Sequence, residues 1–163
     1  MSVQDSTAQR TSPGRPKRVL AVASGGGHWV QMMRLRPVFD AHSTFYVTTM
    51  PGLAVMAGVT SSAVVRDASR RHPFSVLLLV FQLLVLFARV RPDVVVSTGA
   101  APGLVALFIG RCLRCRTVWI DSIANAEELS MSGRVAGRVA DLWLTQWPHL
   151  ARDEGPFCRG SVL

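Results

Sequence analysis

Residues 19–30 read VLAVASGGGHWV, and the architecture follows from how this stretch is parsed. Five apolar residues run directly into Ser24-Gly25-Gly26-Gly27-His28, after which a helix-type pattern extends over residues 30–39. A short, continuously apolar run fits a strand buried on both faces, as in a parallel sheet covered by helices. A glycine loop between such a strand and a helix lies beyond the carboxyl end of the strand, where open α/β sheets bind their ligands. Glycine lets the backbone approach an anion closely, and the helix start supplies free N–H groups and partial positive charge. The loop therefore points to a pyrophosphate site. The plainer alternative is a tight turn that only requires glycine.

The same alternation continues outward from this unit. Residues 45–48, 63–65, 94–97 (VVVS), 117–120 (TVWI) and 142–145 read as strands, with a short last strand expected in 157–163. Helix-type patterns fill 51–57, 73–90, 102–111 and 132–140. Pro51, Pro73 and Pro102 each suit a first helical turn, where the missing N–H costs nothing. Strand–helix alternation predicts an α/β fold with a Rossmann-like, doubly wound parallel sheet. Residues 1–17 are polar and basic and read as a flexible tail; residues 18–163 read as a single domain.

Two nucleotide-binding motifs are excluded. G-x-G-x-x-G fails because Val30 stands at its third glycine, and the second strand ends in Val47-Thr48-Thr49 without an acidic residue for a ribose. No G-K-[ST] occurs.

Composition narrows the partners. The chain has 163 residues, 49% of them apolar, and 18 Lys+Arg against 10 Asp+Glu for a net charge of +8. A basic surface implies an anionic partner, and the positive mean hydropathy of +0.30 favours an anionic membrane surface over nucleic acid. The arginines look scattered along the chain, without a recognition motif for nucleic acid. Cys112, Cys115 and Cys158 cannot all pair, which suits a reducing compartment. The C-x-x-C at 112–115 has no companion pair, so no metal or other cofactor is expected. The apolar run at 19–23 is far too short for a signal peptide, so a cytoplasmic location is expected.

Residues 76–87 are apolar on every side except Gln82, yet fall short of the roughly 20 residues that span a bilayer. Such a helix is either buried or rests in a membrane interface. Arg70 and Arg71 before it and Arg89 after it are placed to meet lipid phosphates, with Phe74, Leu78 and Phe81 entering the apolar layer.

His28 is the candidate catalytic residue, since imidazole suits proton transfer near neutral pH; capping the helix is its plainer role. Ser97-Thr98-Gly99, after the strand at 94–97, repeats the logic of the first loop and forms a second wall. Asp121-Ser122 lies at the equivalent edge. There Asp121 either accepts hydrogen bonds from substrate hydroxyls or caps the next segment.

Taken together, ASGGGHW, RPDVVVSTGA, WIDS, LSMSGR and LTQWPHL resemble PssD-like exopolysaccharide glycosyltransferase subunits. They are similar also to the membrane-anchoring subunit of the two-chain UDP-N-acetylglucosamine transferase of dolichol-linked N-glycan synthesis. The resemblance spans residues 19–163 and implies the N-terminal, acceptor half of a GT-B glycosyltransferase. It implies an inverting, metal-independent transfer at the cytoplasmic face of the membrane, with the UDP-sugar on a partner chain and a lipid-diphosphate-linked saccharide as acceptor. Under it, Ser24, Gly25, Gly26, Gly27, Thr98, Gly99, Asp121 and Ser122 line the acceptor site. Asp121 occupies a position that is commonly glutamate in the family. A whole GT-B enzyme needs about twice this length, so little activity is expected of the chain alone. The competing reading is a non-catalytic scaffold that recruits a transferase to the membrane.

Overall fold

The computed structural model describes residues 15–68 and 73–162. Among the described residues seven strands make one sheet: β1 Arg18–Val22, β2 Ser43–Thr48, β3 Ser62–Val64, β4 Val94–Ser97, β5 Arg116–Ile120, β6 Leu142–Thr145 and β7 Phe157–Cys158. Their order is β3-β2-β1-β4-β5-β6-β7, and every neighbouring pair is parallel. The helices are α1 Gly27–Arg34, α2 Arg36–Phe39, α3 Leu53–Met56, α4 Pro73–Val90, α5 Ala100–Cys112 and α6 Met131–Ala136. The expected doubly wound, Rossmann-like sheet is what the chain forms. Chain progression reverses between β1 and β4, so a crevice opens beyond their carboxyl ends, the usual ligand position in such sheets.

Each face of the sheet carries its own core. Trp29, Met32, Phe39 and Ala54 from α1, α2 and α3 cover Ala21, Tyr46 and Val96 on one side. On the other, Leu79, Leu83, Leu86 and Phe87 of α4 join Leu107 of α5 over Leu20, Val22, Val95 and Trp119. The fully apolar strands of the sequence are those packed on both faces.

Boundaries differ from expectation where backbone chemistry intervenes. The helix expected over 30–39 is two, because Pro37 cannot donate to the preceding turn and the chain breaks at Leu35. The helix expected over 51–57 starts only at Leu53, since Gly52 is left-handed (φ 84°) and Pro51 lies in the turn before it. α6 ends at Ala136 rather than at 140. β7 is two residues long rather than the whole of 157–163.

α4 is buried along one side only. Leu79, Leu83, Leu86 and Phe87 are buried, while Phe74, Leu77, Leu78, Phe81, Leu84 and Val85 form an exposed apolar face on its other side. Phe74 is 84% and Leu77 67% exposed. No helix among the described residues is long and apolar enough to cross a membrane.

Candidate functional site

The crevice is built from two loops at the switch point. Gly26, with φ 65° and ψ −136°, turns the chain from β1 into α1, and no side chain caps the helix. Gly25 donates its N–H to Thr49 Oγ1 (3.1 Å) and lies so close to Met50 that a Cβ there would overlap the thioether. On the facing side, Gly99 has φ 139° and ψ −177°, a conformation open only to glycine, and it leads into α5 without a side-chain cap. Ala100 follows with φ 65°. Two uncapped helix N-termini, neither carrying an acidic residue in its first turn, thus flank one crevice. Their free N–H groups and aligned dipoles favour an anion.

His28 joins the two loops. Its Nδ1 lies 2.9 Å from the carbonyl oxygen of Thr98, and the Thr98 hydroxyl donates back to the His28 carbonyl at 2.8 Å. A carbonyl only accepts, so Nδ1 carries the proton of the neutral ring and Nε2 keeps its lone pair. The ring rests on the Gly99 backbone: a Cβ on Gly99 would fall 2.4 Å from both Cε1 and Nδ1.

Asp121 behaves differently. It is 1% exposed, and its carboxylate accepts from Trp119 Nε1 (3.1 Å), Asn125 Nδ2 (3.1 Å), Ser130 N (3.1 Å) and Ser130 Oγ (2.7 Å). Ser130 Oγ in turn accepts the Gly133 N–H and caps α6. Both carboxylate oxygens are thus engaged inside the protein, where Asp121 holds Ser130, the cap of α6. Ser122 is buried and its hydroxyl accepts from Ala124 N–H. Ser24 turns its hydroxyl back onto the carbonyl of Gly25. The structure therefore brings His28, the glycine loop, Thr98 and Gly99 together. Asp121 and Ser122 shape the adjoining wall from within.

Two buried amides, not singled out from the sequence, bind that wall to the rest. Gln31, one turn after His28, donates to the carbonyls of Ile120 and Asp121 and accepts from Ile123 N–H. Gln146 donates to the Asp121 carbonyl (3.0 Å) and accepts from Val162 N–H (2.7 Å). Their partners lie up to 92 residues away, so no local pattern marks them.

Of the expected lipid-contacting residues, Arg70 and Arg71 lie outside the described residues. Phe74, Leu78, Phe81 and Arg89 are all exposed.

A parallel sheet ordered in this way has the Rossmann-like architecture of a GT-B N-terminal domain. Crystalline MurG of Acinetobacter baumannii superposes on 90% of the chain with a TM-score of 0.72 at 16% identity, and the chain spans 46% of that protein. The likeness to a UDP-N-acetylglucosamine 2-epimerase is weaker, with a TM-score of 0.64 at 11% identity over 81% of this chain and 42% of that one. The protein belongs to the family described as "Oligosaccharide biosynthesis protein Alg14 like", whose pattern matches residues 19–156. Among its relatives is the UDP-N-acetylglucosamine transferase subunit ALG14 of Eremothecium gossypii, 31% identical over 85% of this chain and 76% of that one. The subunit of the same name from Yarrowia lipolytica is 24% identical over 84% and 78%.

Proposed function

We propose that the protein is the acceptor-side subunit of a two-chain, inverting glycosyltransferase. In this reading a partner chain binds the UDP-sugar, and this chain presents a polyprenyl-diphosphate-linked saccharide to it. The observation that carries the proposal is His28, held with a free Nε2 between two uncapped helix N-termini. The diphosphate of the acceptor lies against the N–H groups of the glycine loop and of α5. The acceptor hydroxyl attacks the anomeric carbon of the sugar. The bond from that carbon to the diphosphate oxygen breaks, UDP leaves with the electron pair, and Nε2 of His28 takes the hydroxyl proton. Such a positioned base is worth about 10²–10⁴-fold in rate, and it needs no metal.

Family membership supports an N-acetylglucosaminyl donor, because the relatives are named as UDP-N-acetylglucosamine transferase subunits. The motif resemblance adds exopolysaccharide or capsule synthesis as the setting. The exposed apolar face of α4, with Arg89 at its end, supports peripheral attachment to the cytoplasmic face of the membrane.

The test is recovery of the tagged protein from solubilised native membranes, assayed for transfer from labelled UDP-sugars to lipid-linked acceptors. A co-purifying α/β partner together with transfer is the expected result. A protein recovered without a partner and without transfer refutes the reading and leaves the scaffold.

A further inference from the structure

Some of the basic residues that look dispersed in the sequence are gathered at one edge by the fold. The parallel strands all start at the edge opposite the crevice, and basic residues stand at the starts of β1, β4 and β5. Lys17 and Arg18 head β1, Arg89 ends the last turn of α4 and Arg91 follows it before β4, and Arg114 and Arg116 lead into β5. Carboxylates are fewer there: Asp40, and Asp93 and Asp141, which pair with Arg18 and Arg111.

At this edge an open groove of about 580 Å³ runs between the end of α4 and the turn after α5. Leu84, Phe87, Ala88 and Leu113 give it apolar walls, and Arg18 and Arg91 line it as well. Leu84 and Ala88 are exposed, so the groove continues onto the apolar face of α4. Arg18 is partly committed to Asp93 through two side-chain bonds. Among the described residues no carboxylate pairs with Arg91. Arg91 is also left-handed (φ 48°). It closes α4 by donating its N–H to the Phe87 carbonyl, a position where glycine is the default.

We propose that this groove binds the phosphate of an anionic phospholipid headgroup, held by Arg91 and Arg18, with an acyl chain lying along Leu84 and Ala88. The inference rests on the membrane reading of α4. Apolar walls beside paired guanidinium groups match an amphiphilic anion better than a nucleic-acid backbone, which offers nothing to such walls. α4 has 18 residues, or about 27 Å at 1.5 Å per residue, and it runs from the crevice edge to this one. Gripping a bulk lipid at its far end fixes how the crevice meets the bilayer, without occupying the acceptor site.

The experiment measures partition of the full chain into phosphatidylcholine vesicles, with and without a minority of phosphatidylglycerol. It compares wild type with Arg91→Gly and with Arg116→Gln, a neighbour outside the groove. Glycine suits the left-handed backbone, so Arg91→Gly keeps or raises the melting temperature. Neutral vesicles bind all three proteins alike. Phosphatidylglycerol strengthens wild-type binding, and Arg91→Gly loses about fivefold of that partition, the equivalent of ~1 kcal/mol per basic residue at the surface. Arg116→Gln loses clearly less. Equal losses in the two variants overturn the headgroup site while leaving membrane attachment intact. Failure of the wild type to bind either vesicle refutes the membrane reading and the site with it. Tighter binding to duplex DNA than to anionic vesicles, lost in Arg91→Gly, also overturns the proposal.

Discussion

Replacing Gly99 by alanine reaches His28 without touching it chemically. The added Cβ falls 2.4 Å from Cε1 and Nδ1 of the ring, and ordinary carbon contacts begin near ~3.5 Å. The ring or the loop must therefore move by roughly 1 Å, and a displacement of that size at a reacting group costs on the order of 10²-fold in rate. The backbone at φ 139° adds strain of about 1–3 kcal/mol. At roughly 2–4 °C per kcal/mol for a domain of this size, the melting point falls by a few degrees, and the protein remains folded at room temperature. Transfer by the reconstituted pair is compared among wild type, Gly99→Ala, His28→Ala and the double variant. If the methyl acts through the ring, Gly99→Ala lowers kcat strongly in the wild type and hardly at all once the imidazole is gone. Full activity in Gly99→Ala, or an equal further loss in the double variant, refutes this account of the crevice.

Other outcomes follow from burial and charge. Leu83 is fully buried and Leu77 67% exposed on the same helix, so Leu83→Ala lowers urea stability by about 2–5 kcal/mol. Leu77→Ala changes stability little and weakens vesicle binding instead. Asp121→Ala strands the buried indole donor of Trp119 and frees the half-buried donors of Asn125 and Ser130, and costs about 1–3 kcal/mol for the unsatisfied buried group, read by denaturant titration. Burial pushes the Asp141 carboxyl up, but the Thr117 N–H and hydroxyl and the Arg111 and Arg116 charges outweigh it, and its pKa lies below the ordinary value. A depressed folded pKa stabilises above the unfolded value of about 3.9 and is lost as pH falls through the folded one. Asp141→Asn is therefore less stable than wild type at neutral pH, and thermal melts show the gap narrowing below about pH 4.

The strands at β1, β4 and β5 were legible because burial on both faces leaves a run of apolar residues that no surface helix matches. α4 was legible in extent, from Pro73 to Val90, but not in orientation. An all-round apolar helix carries no stripe to say which side meets the sheet. His28 and Gly99 could be marked singly from their loops, yet their contact depends on the β1–β4 pairing, which sequence distance conceals. Asp121 sits at the crevice edge in sequence, and only the inward turn of its side chain, set by Trp119 and Ser130, shows its structural task. The basic edge had a readable signal. Lys17, Arg91, Arg114 and Arg116 stand at or just before strand starts, and a parallel sheet brings all such positions to one side.

The most direct test is the rate of sugar transfer by the reconstituted pair carrying His28→Ala, with partner binding and folding verified first. A base at Nε2 predicts a fall in kcat of about 10²–10⁴-fold, with the complex intact and acceptor binding largely kept. Transfer within a few-fold of wild type would contradict it, and would leave the crevice a binding surface whose chemistry lies wholly on the partner chain.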